Sequence, residues 1–216
     1  MKISTRLRAI CEFVEPGSDV IDVGCDHGLA GIFLALEKHC TVVCTDINEN
    51  ALNNAKKNIV NYGVEEKVKA VITDGLQEMD ISNKTILICG MGTRTIMHII
   101  NHVIEYNMKE LIIQSNNDLD ELRKYMFEEG FYIADEKYVV ENDKHYVIMK
   151  FKIGNMPYTI DDIIIGPVLK TDKYYLQYLY DNHASLLKQI PHKYHKERKK
   201  LKQEKNIIRD YLKNVD

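Results

Sequence analysis

The segment from Val20 to Gly28 restricts the possible fold more than any other part of the chain. It reads Val-Ile-Asp-Val-Gly-Cys-Asp-His-Gly, a short β-branched run that leads directly into a turn with two glycines. β-Branched runs favour strands, and glycines let the backbone turn tightly beside a ligand. A second apolar run, residues 40–44, is followed by Asp46. This spacing predicts the first strand–turn–helix unit of a doubly wound α/β sheet.

The glycine spacing separates two classes of nucleotide ligand. A dinucleotide fingerprint needs a second glycine two positions after Gly24, where this chain has Asp26. Because a carboxylate repels a diphosphate, the turn better fits a sulfonium-bearing cofactor. A first strand with Asp22 and a second strand closed by Asp46 are typical of S-adenosylmethionine-dependent methyltransferases. The alternative is that the glycines only form a tight turn.

Composition indicates one well-buried domain with an appendage, since the chain has 216 residues and 45% hydrophobic content. Its five cysteines are odd in number and form no Cys-x-x-Cys pair, which argues against disulfides and a zinc site. No run approaches the ~18 apolar residues of a membrane span, and residues 1–6 lack an apolar signal core. We expect a reduced, cytoplasmic monomer without a metal ion or membrane contact.

The net charge of −3 conceals a strong asymmetry. Between Lys188 and Arg209 there are nine Lys or Arg and two Glu, a net +7 that leaves −10 for the rest of the chain. A basic arm on an acidic body suggests a polyanionic partner, although a solvated helix face is the alternative.

Apolar runs alternate with amphipathic patterns through the first 130 residues, which predicts a parallel, doubly wound sheet. We predict strands at 20–23, 41–45, 68–72, 85–89 and 111–114, and helices at 4–14, 29–38, 51–61, 94–106 and 119–129. The candidate helix caps are Asn48 or Asn50, and Asn117 or Asp118. Two β-rich runs, 131–140 and 145–152, flank a turn and predict a closing antiparallel hairpin. A seven-strand sheet that ends this way is typical of methyltransferases rather than dehydrogenases.

The character of the chain changes at Thr159. Gly166-Pro167 interrupts it, and residues 169–190 give a long helical pattern. A second, Lys-rich helix follows Pro191 and runs to about Leu212, which predicts an antiparallel hairpin like a coiled coil. We therefore predict a Rossmann-like methyltransferase domain over residues 1–157 and a basic helical domain over residues 158–216.

Three acids, Asp22, Asp46 and Asp74, lie at or near the ends of three successive predicted strands. Each could be only a helix cap, but in a doubly wound sheet the strand ends converge on one crevice. The residues expected to contact the cofactor are Asp22, Gly24, Cys25, Gly28, Asp46, Ile47, Asp74, Gly75, Gly90 and Met91.

The methyl acceptor is expected beside the segment Cys89-Gly90-Met91-Gly92-Thr93, where the two glycines permit a close approach of the acceptor to the backbone. The alternative is that these glycines only form a tight turn into the next helix. The chain lacks the Asn-Pro-Pro-Tyr-like motif usual for adenine N6 methylation. Asn116 and Asn117 could hydrogen-bond a base or cap the following helix.

Asp26 and His27 are the candidate catalytic pair. A glycine-flanked turn should direct both side chains away from the core, so that either could handle a proton near the transferred methyl group. The alternatives are a helix cap for Asp26 and a structural role for His27.

Several short motifs occur together in one order: Arg6-Leu7, Gly-Cys-Asp-His at 24–27, Asp74-Gly75-Leu76, Cys-Gly-Met-Gly at 89–92, Gln-Ser-Asn at 114–116, the hairpin acids and Gly166-Pro167. With them, nearly the whole chain resembles the bacterial tRNA (adenine-N1)-methyltransferases that act on adenosine 22. The resemblance implies S-adenosylmethionine as donor, tRNA as acceptor, and Asp26 as the main catalytic residue. The expected substrate contacts are Arg6, Gly92, Asn116, Lys193, Lys196, Arg198, Lys199 and Lys200.

The chain departs from the family pattern at four places. The tyrosine usual after Asp-His is missing from Gly28-Leu29-Ala30-Gly31, and Thr93, Ser115 and Asp46 stand where the family usually has glycine, proline and glutamate. Two rival functions remain: a small-molecule methyltransferase, which leaves the basic arm without a role, and a non-catalytic RNA-binding protein.

Overall fold

The structure is a computed structural model and describes residues 1–103 and 107–215. Seven strands form one sheet: β1 (Asp19–Val23), β2 (Thr41–Asp46), β3 (Val68–Ile72), β4 (Thr85–Met91), β5 (Glu110–Ser115), β6 (Phe131–Glu141) and β7 (Lys144–Ile153). Each predicted strand is present, with small differences at the ends.

The strands are ordered β3-β2-β1-β4-β5-β7-β6 across the sheet. The first five are parallel, whereas β7 runs antiparallel to both β5 and β6. This confirms the Rossmann-like sheet with a closing antiparallel hairpin. The order reverses between β1 and β4, and ligands of doubly wound sheets bind at the carboxyl ends of the strands beside such a reversal.

The helices are α1 (Thr5–Glu12), α2 (Leu29–Lys38), α3 (Glu49–Asn61), α4 (Thr93–Asn101), α5 (Leu119–Glu128), α6 (Ile160–Ile164), α7 (Lys173–Gln189) and α8 (His195–Leu212). The helix predicted at 94–106 ends early, at Asn101, and its last three residues lie outside the described ranges. The helix predicted at 169–190 is interrupted, because a 3-10 turn (Leu169–Thr171) comes first. Asp172 then accepts the N–H of Tyr175 and begins α7.

One of the two predicted caps is correct. Asn48 caps α3 by accepting the N–H groups of Asn50 and Ala51. The prediction for α5 is wrong, because Asp118 precedes that helix without a side-chain cap bond. Asn117 instead accepts the N–H of Thr93 at the start of α4, 3.1 Å away.

Alternating strand residues build two cores. One face of the sheet, with Val20, Leu87 and Ile112, packs against α1, α2 and α3. The opposite face, with Ile21 and Ile86, packs against α4, α5 and the C-terminal helices. Period-two alternation thus places a helical layer on each side of the sheet.

A buried ion pair attaches the C-terminal segment to the sheet. Arg123 on α5 donates to Glu136 on β6 over 3.1 and 2.9 Å, and both side chains are fully buried. Arg123 also donates to the carbonyl of Ile163, and Glu136 accepts the N–H of Val168. A Cβ at Gly166, whose φ is +106°, would overlap the Glu136 carboxylate. This close approach accounts for the glycine in the Gly-Pro interruption.

Helices α7 and α8 form an antiparallel hairpin. Near its closed end Arg198 donates to the carbonyls of Leu187 and Ile190, and farther along His183 lies 3.6 Å from Glu204. The helical hairpin is confirmed. Its description as a coiled coil and the domain boundary at 157/158 stay predictions.

Candidate active site

The loop between β1 and α2 contains the predicted cofactor turn. Gly24 and Asp26 have positive φ angles of +68° and +50°. The N–H groups of Gly24 and Cys25 both donate to the carbonyl of Thr45, at 2.8 and 2.9 Å. A side chain at position 24 would overlap Met91. The positive φ of the turn therefore favours glycine at position 24, whereas the Met91 methyl group lies at the end of a flexible side chain that can move.

Asp46 links this loop to the loop after β2. One carboxylate oxygen accepts the N–H of Asp26 at 3.3 Å, and the other accepts the N–H of Asn48 at 2.8 Å. Each carboxylate oxygen can accept a second hydrogen bond, so Asp46 retains capacity for ribose hydroxyls. Ile47 beside it is 68% exposed, which leaves an apolar surface available to a flat ring.

A cavity of about 350 Å³ lies at the reversal between β1 and β4. The predicted site residues that line it are Arg6, Asp22, Gly24, Cys25, Asp26, His27 and Gly90. Leu29, Ala30 and Leu87 also line it and were not predicted, because apolar residues in a helix or strand look like ordinary core positions in sequence.

Asp22 has an unusual environment at the base of this cavity. Its Oδ2 atom is buried and, among the described residues, has no hydrogen-bond partner. Burial, reinforced by the charge of Asp46, raises the pKa of the Asp22 carboxyl from 3.8 to about 7. An unpaired buried oxygen of this kind is costly, so a positively charged ligand group would be stabilised beside it.

Asp26 and His27 project from the loop at the rim of the cavity. Their side chains are 71% and 52% exposed, and His27 Nε2 lies 3.5 Å from Asp26 Oδ2. Their predicted projection away from the core is confirmed. The alternative that Asp26 caps α2 is wrong, because Gly28 occupies the cap position and no side chain caps that helix.

A polar network forms the other side of the opening. Arg6 donates to Gln114 at 2.6 Å, and Gln114 donates to Asn116 at 3.1 Å. Asn116 donates in turn to the carbonyl of Gly90 at 2.8 Å. The Arg6 guanidinium also lies 5.2 Å from the centre of the Tyr146 ring. Tyr146 was not predicted as a site residue, because a strand aromatic usually serves packing.

Other predicted cofactor residues lie outside this cavity. A Cβ at Gly28 would lie 3.1 Å from that of Ala55, so this glycine allows α3 to pack against the loop. The remaining predicted cofactor residues outside the cavity are Asp46, Ile47, Asp74, Gly75 and Met91, and the predicted substrate residue Gly92 also lies outside it; all six follow or end β2, β3 and β4. Their cofactor and substrate contacts stay predictions.

The predicted RNA-contacting residues of the hairpin differ in their surroundings. Lys193, Lys196 and Lys199 are exposed. Arg198 is occupied with the carbonyls at the end of α7. Lys200 lies within 3.5 Å of both Asp120 and Glu204, and the charge of Glu204 first and that of Asp120 next raise its pKa.

Two further properties concern ligands and membranes. Across residues 1–103 and 107–215, no group of three or more His, Cys, Asp or Glu is arranged to hold a metal ion. Over the same ranges, no helix is both long enough and apolar enough to cross a bilayer.

The sheet order and the cavity at its reversal are typical of Rossmann-like methyltransferases. The model of a family described as "Methyltransferase domain" matches residues 3–149, and the chain belongs to this family. The resemblance to tRNA (adenine-N1)-methyltransferases is confirmed by comparison with individual proteins.

The tRNA (adenine(22)-N(1))-methyltransferase of Bacillus subtilis is 25% identical over 183 residues, covering 80% of this chain and 77% of that protein. A crystal structure of a Streptococcus pneumoniae protein, described as a proposed tRNA (m1A22) methyltransferase, is 29% identical with a TM-score of 0.88. It covers 98% of this chain and 100% of that chain. The Streptococcus pneumoniae protein has also been solved with S-adenosyl-L-methionine, at 28% identity, a TM-score of 0.88 and the same coverage.

The residues of this chain fit that cofactor. The unpaired Asp22 oxygen can accept from the cationic amino group, and the Asp46 carboxylate has acceptor capacity for the ribose. The first turn presents no side chain at Gly24, which leaves room beside the backbone.

The raised pKa of Asp22 leads to a pH prediction. Because the folded value of about 7 exceeds the ordinary 3.8, the folded apoprotein holds an extra proton between these values, and its free energy of unfolding falls as pH rises through this window. A cationic ligand favours the ionised carboxylate. Binding of S-adenosylmethionine is therefore expected to release up to one proton near pH 6 and to tighten by up to about tenfold per pH unit below 7.

Calorimetric titration in buffers of different ionisation enthalpy measures this proton release. The matched variant is Asp22→Asn, whose titration contains the cofactor's own ionisation but not that of Asp22. Equal proton release by the variant and the wild-type protein would contradict the prediction.

Proposed function

We propose that this protein transfers a methyl group from S-adenosylmethionine to N1 of adenosine 22 in tRNA. The observation that carries the proposal is the similarity to the Bacillus subtilis enzyme over 183 residues, a span longer than the matched methyltransferase domain. A resemblance limited to the cofactor-binding fold would not need to extend over so many residues.

The site chemistry supports methylation at a ring nitrogen. Adenine N1 has an unprotonated lone pair at neutral pH, so its attack needs no strong base. Bound S-adenosylmethionine supplies an electrophilic methyl group on a sulfonium sulfur. As the N1–carbon bond forms and the carbon–sulfur bond breaks, positive charge passes to the adenine ring. The Asp26 carboxylate stabilises this charge and orients the N6 amine, while His27 positions Asp26.

The two parts of the chain have separate tasks in this proposal. Residues 1–157 hold the cofactor and the reacting base, with Asp22, Asp46 and Ile47 on the cofactor and Arg6 and Asn116 near the acceptor. Residues 158–216 bind the RNA backbone. N1 of a paired or stacked adenine is inaccessible, so the enzyme flips the base into the crevice at a cost of a few kcal/mol. We place the protein in the cytoplasm as a monomer.

Methyl transfer from labelled S-adenosylmethionine to unmodified bulk tRNA tests the function. Digestion to nucleosides should give labelled 1-methyladenosine, and sequencing should place it at position 22. If the cofactor binds but no label enters RNA, a small-molecule acceptor replaces this proposal. If the cofactor does not bind, a non-catalytic scaffold replaces it.

The exposed lysines of the hairpin give a second prediction. Replacing Lys193, Lys196 and Lys199 by glutamine should weaken tRNA binding and reduce the slope of log K against log salt by about 0.7–0.9 per lost phosphate contact, or about 2–3 in total. Binding isotherms at several salt concentrations measure the slope. The matched control replaces exposed Lys56, Lys57 and Lys67 in the same way. An equal change in both variants would show only a general charge effect.

A further inference from the structure

Three aromatic rings form a stack where the β6–β7 hairpin meets α7. The His145 ring lies 3.9 Å from the Tyr178 ring, centre to centre, at an angle of 15°. The Tyr138 ring lies 5.8 Å from Tyr178 at 25°. The Tyr138 hydroxyl and His145 Nδ1 are hydrogen-bonded at 2.5 Å, which fixes the imidazole in its plane. Tyr178 therefore supports a surface made of two aligned rings.

This stack forms part of a cleft of about 380 Å³ between the sheet and the helical hairpin. Tyr175 is buried beneath it, whereas His145 and Asn182 are exposed. Among the described residues that line the cleft there is no Lys or Arg, and three of them are the acids Asp118, Asp120 and Glu204. Lys200 lies beside two of these acids, Asp120 and Glu204, but does not line the cleft, so the described walls present carboxylate oxygens and no Lys or Arg cation to a phosphate. Aromatic faces beside carboxylates and amides suit a nucleobase that carries an exocyclic amine.

An open recess of about 560 Å³ adjoins both the cleft and the cofactor cavity. The recess shares Arg6 and Gly90 with the cofactor cavity, and Asn116 and His145 with the aromatic cleft. Arg6 and Lys144 give the recess positive charge. The order of spaces is thus a methyl-transfer cavity, a cationic recess, and an acidic aromatic cleft. The target base, the backbone that links it to the next nucleotide, and the neighbouring base could occupy these three spaces in the same order.

We propose that the aromatic cleft is a second nucleobase-binding pocket, which takes a base next to the methylated adenosine and stacks it on the surface formed by His145 and Tyr138. The proposal rests on the proposed function and adds to it a contact outside the cofactor cavity. His145 acts as a positioning residue. Holding the neighbouring base keeps the target adenosine extruded from the RNA stack.

The test uses tRNA with an abasic nucleotide immediately before or immediately after the target adenosine. For the wild-type protein, one of the two substrates should bind about 5- to 150-fold more weakly than intact tRNA, the range for loss of one base–aromatic stack. His145→Ala should bind intact tRNA more weakly by a similar factor. Its affinity for tRNA should change little when that neighbouring base is removed. His145→Phe retains a stacking face and should remain sensitive to it.

Exposed Tyr62, on the distant α3 end, provides the control variant Tyr62→Ala, which should behave as wild type. Cofactor affinity should be unchanged in every variant. The second pocket is rejected if wild-type protein binds both abasic tRNAs like intact tRNA, or if His145→Ala remains as sensitive as wild type. These outcomes leave the main function intact, which fails only if intact tRNA gains no 1-methyladenosine.

Discussion

Asp26→Asn is expected to lower kcat for methyl transfer by about 10²- to 10³-fold, the usual effect of removing one group that stabilises transition-state charge. The affinity for S-adenosylmethionine should stay nearly unchanged. Positive charge develops on the adenine ring during methylation, and Asp26 places an exposed carboxylate at the cavity rim. Single-turnover methylation and calorimetric cofactor binding measure the two quantities.

Asparagine is the suitable replacement for Asp26 because of the backbone conformation at this position. Asp26 has a φ of +50°, which asparagine tolerates and alanine does not. Its N–H bond to Asp46 is retained, so the loop keeps its connection to β2. Asp143→Asn is the matched control, because Asp143 has a similar φ of +58° and lies outside the cavity in the β6–β7 turn.

Comparison with Asp46→Asn tests how the two acids divide their roles. This variant should weaken cofactor binding, and it should also lower kcat because Asp46 accepts the N–H of Asp26. The sequence suggests two independent acids, but this hydrogen bond couples them. If Asp26→Asn weakens cofactor binding as much as Asp46→Asn does, Asp26 belongs to the cofactor site and not to the acceptor site.

Much of the fold can be predicted because its determinants are local. The β-branched run 20–23 and the periodic apolar residues of α2 specify their elements within a few residues. The glycine turn is equally local, and it places Asp26 and His27 at the cavity as expected. The parallel direction of the first five strands also follows from alternation, because parallel strands require helical crossovers, whereas the order of the strands across the sheet does not.

The remainder depends on contacts between distant residues. Asn117 caps α4 rather than its own helix, because β4 and β5 become neighbours only in the sheet. Arg6 meets Gln114 across 108 positions, so no pattern in sequence joins them. The unpaired oxygen of Asp22 likewise results from burial in the folded protein, and the presence of an acid in a strand sequence does not predict it.

The ion pair between Arg123 and Glu136 gives the largest expected effect on stability. Glu136→Ala should lower the free energy of unfolding by about 3–5 kcal/mol, because it leaves a fully buried guanidinium without its counter-charge. For a chain of this length that corresponds to a fall in Tm of roughly 6–20 °C. Burial raises the pKa of Glu136 even beside Arg123, which shows how costly this environment is for an isolated charge.

The effect should concentrate on the attachment of the C-terminal segment, since Glu136 also accepts the N–H of Val168. Hydrogen exchange should therefore increase first in residues 160–212, and tRNA binding should be lost before cofactor binding. Glu128→Ala is the matched control, because Glu128 forms an exposed ion pair with Lys124 on the same helix as Arg123, and such pairs contribute only about 0–1 kcal/mol. Equal Tm changes in Glu136→Ala and Glu128→Ala would show that apolar packing alone attaches the helical hairpin of α7 and α8 to the sheet.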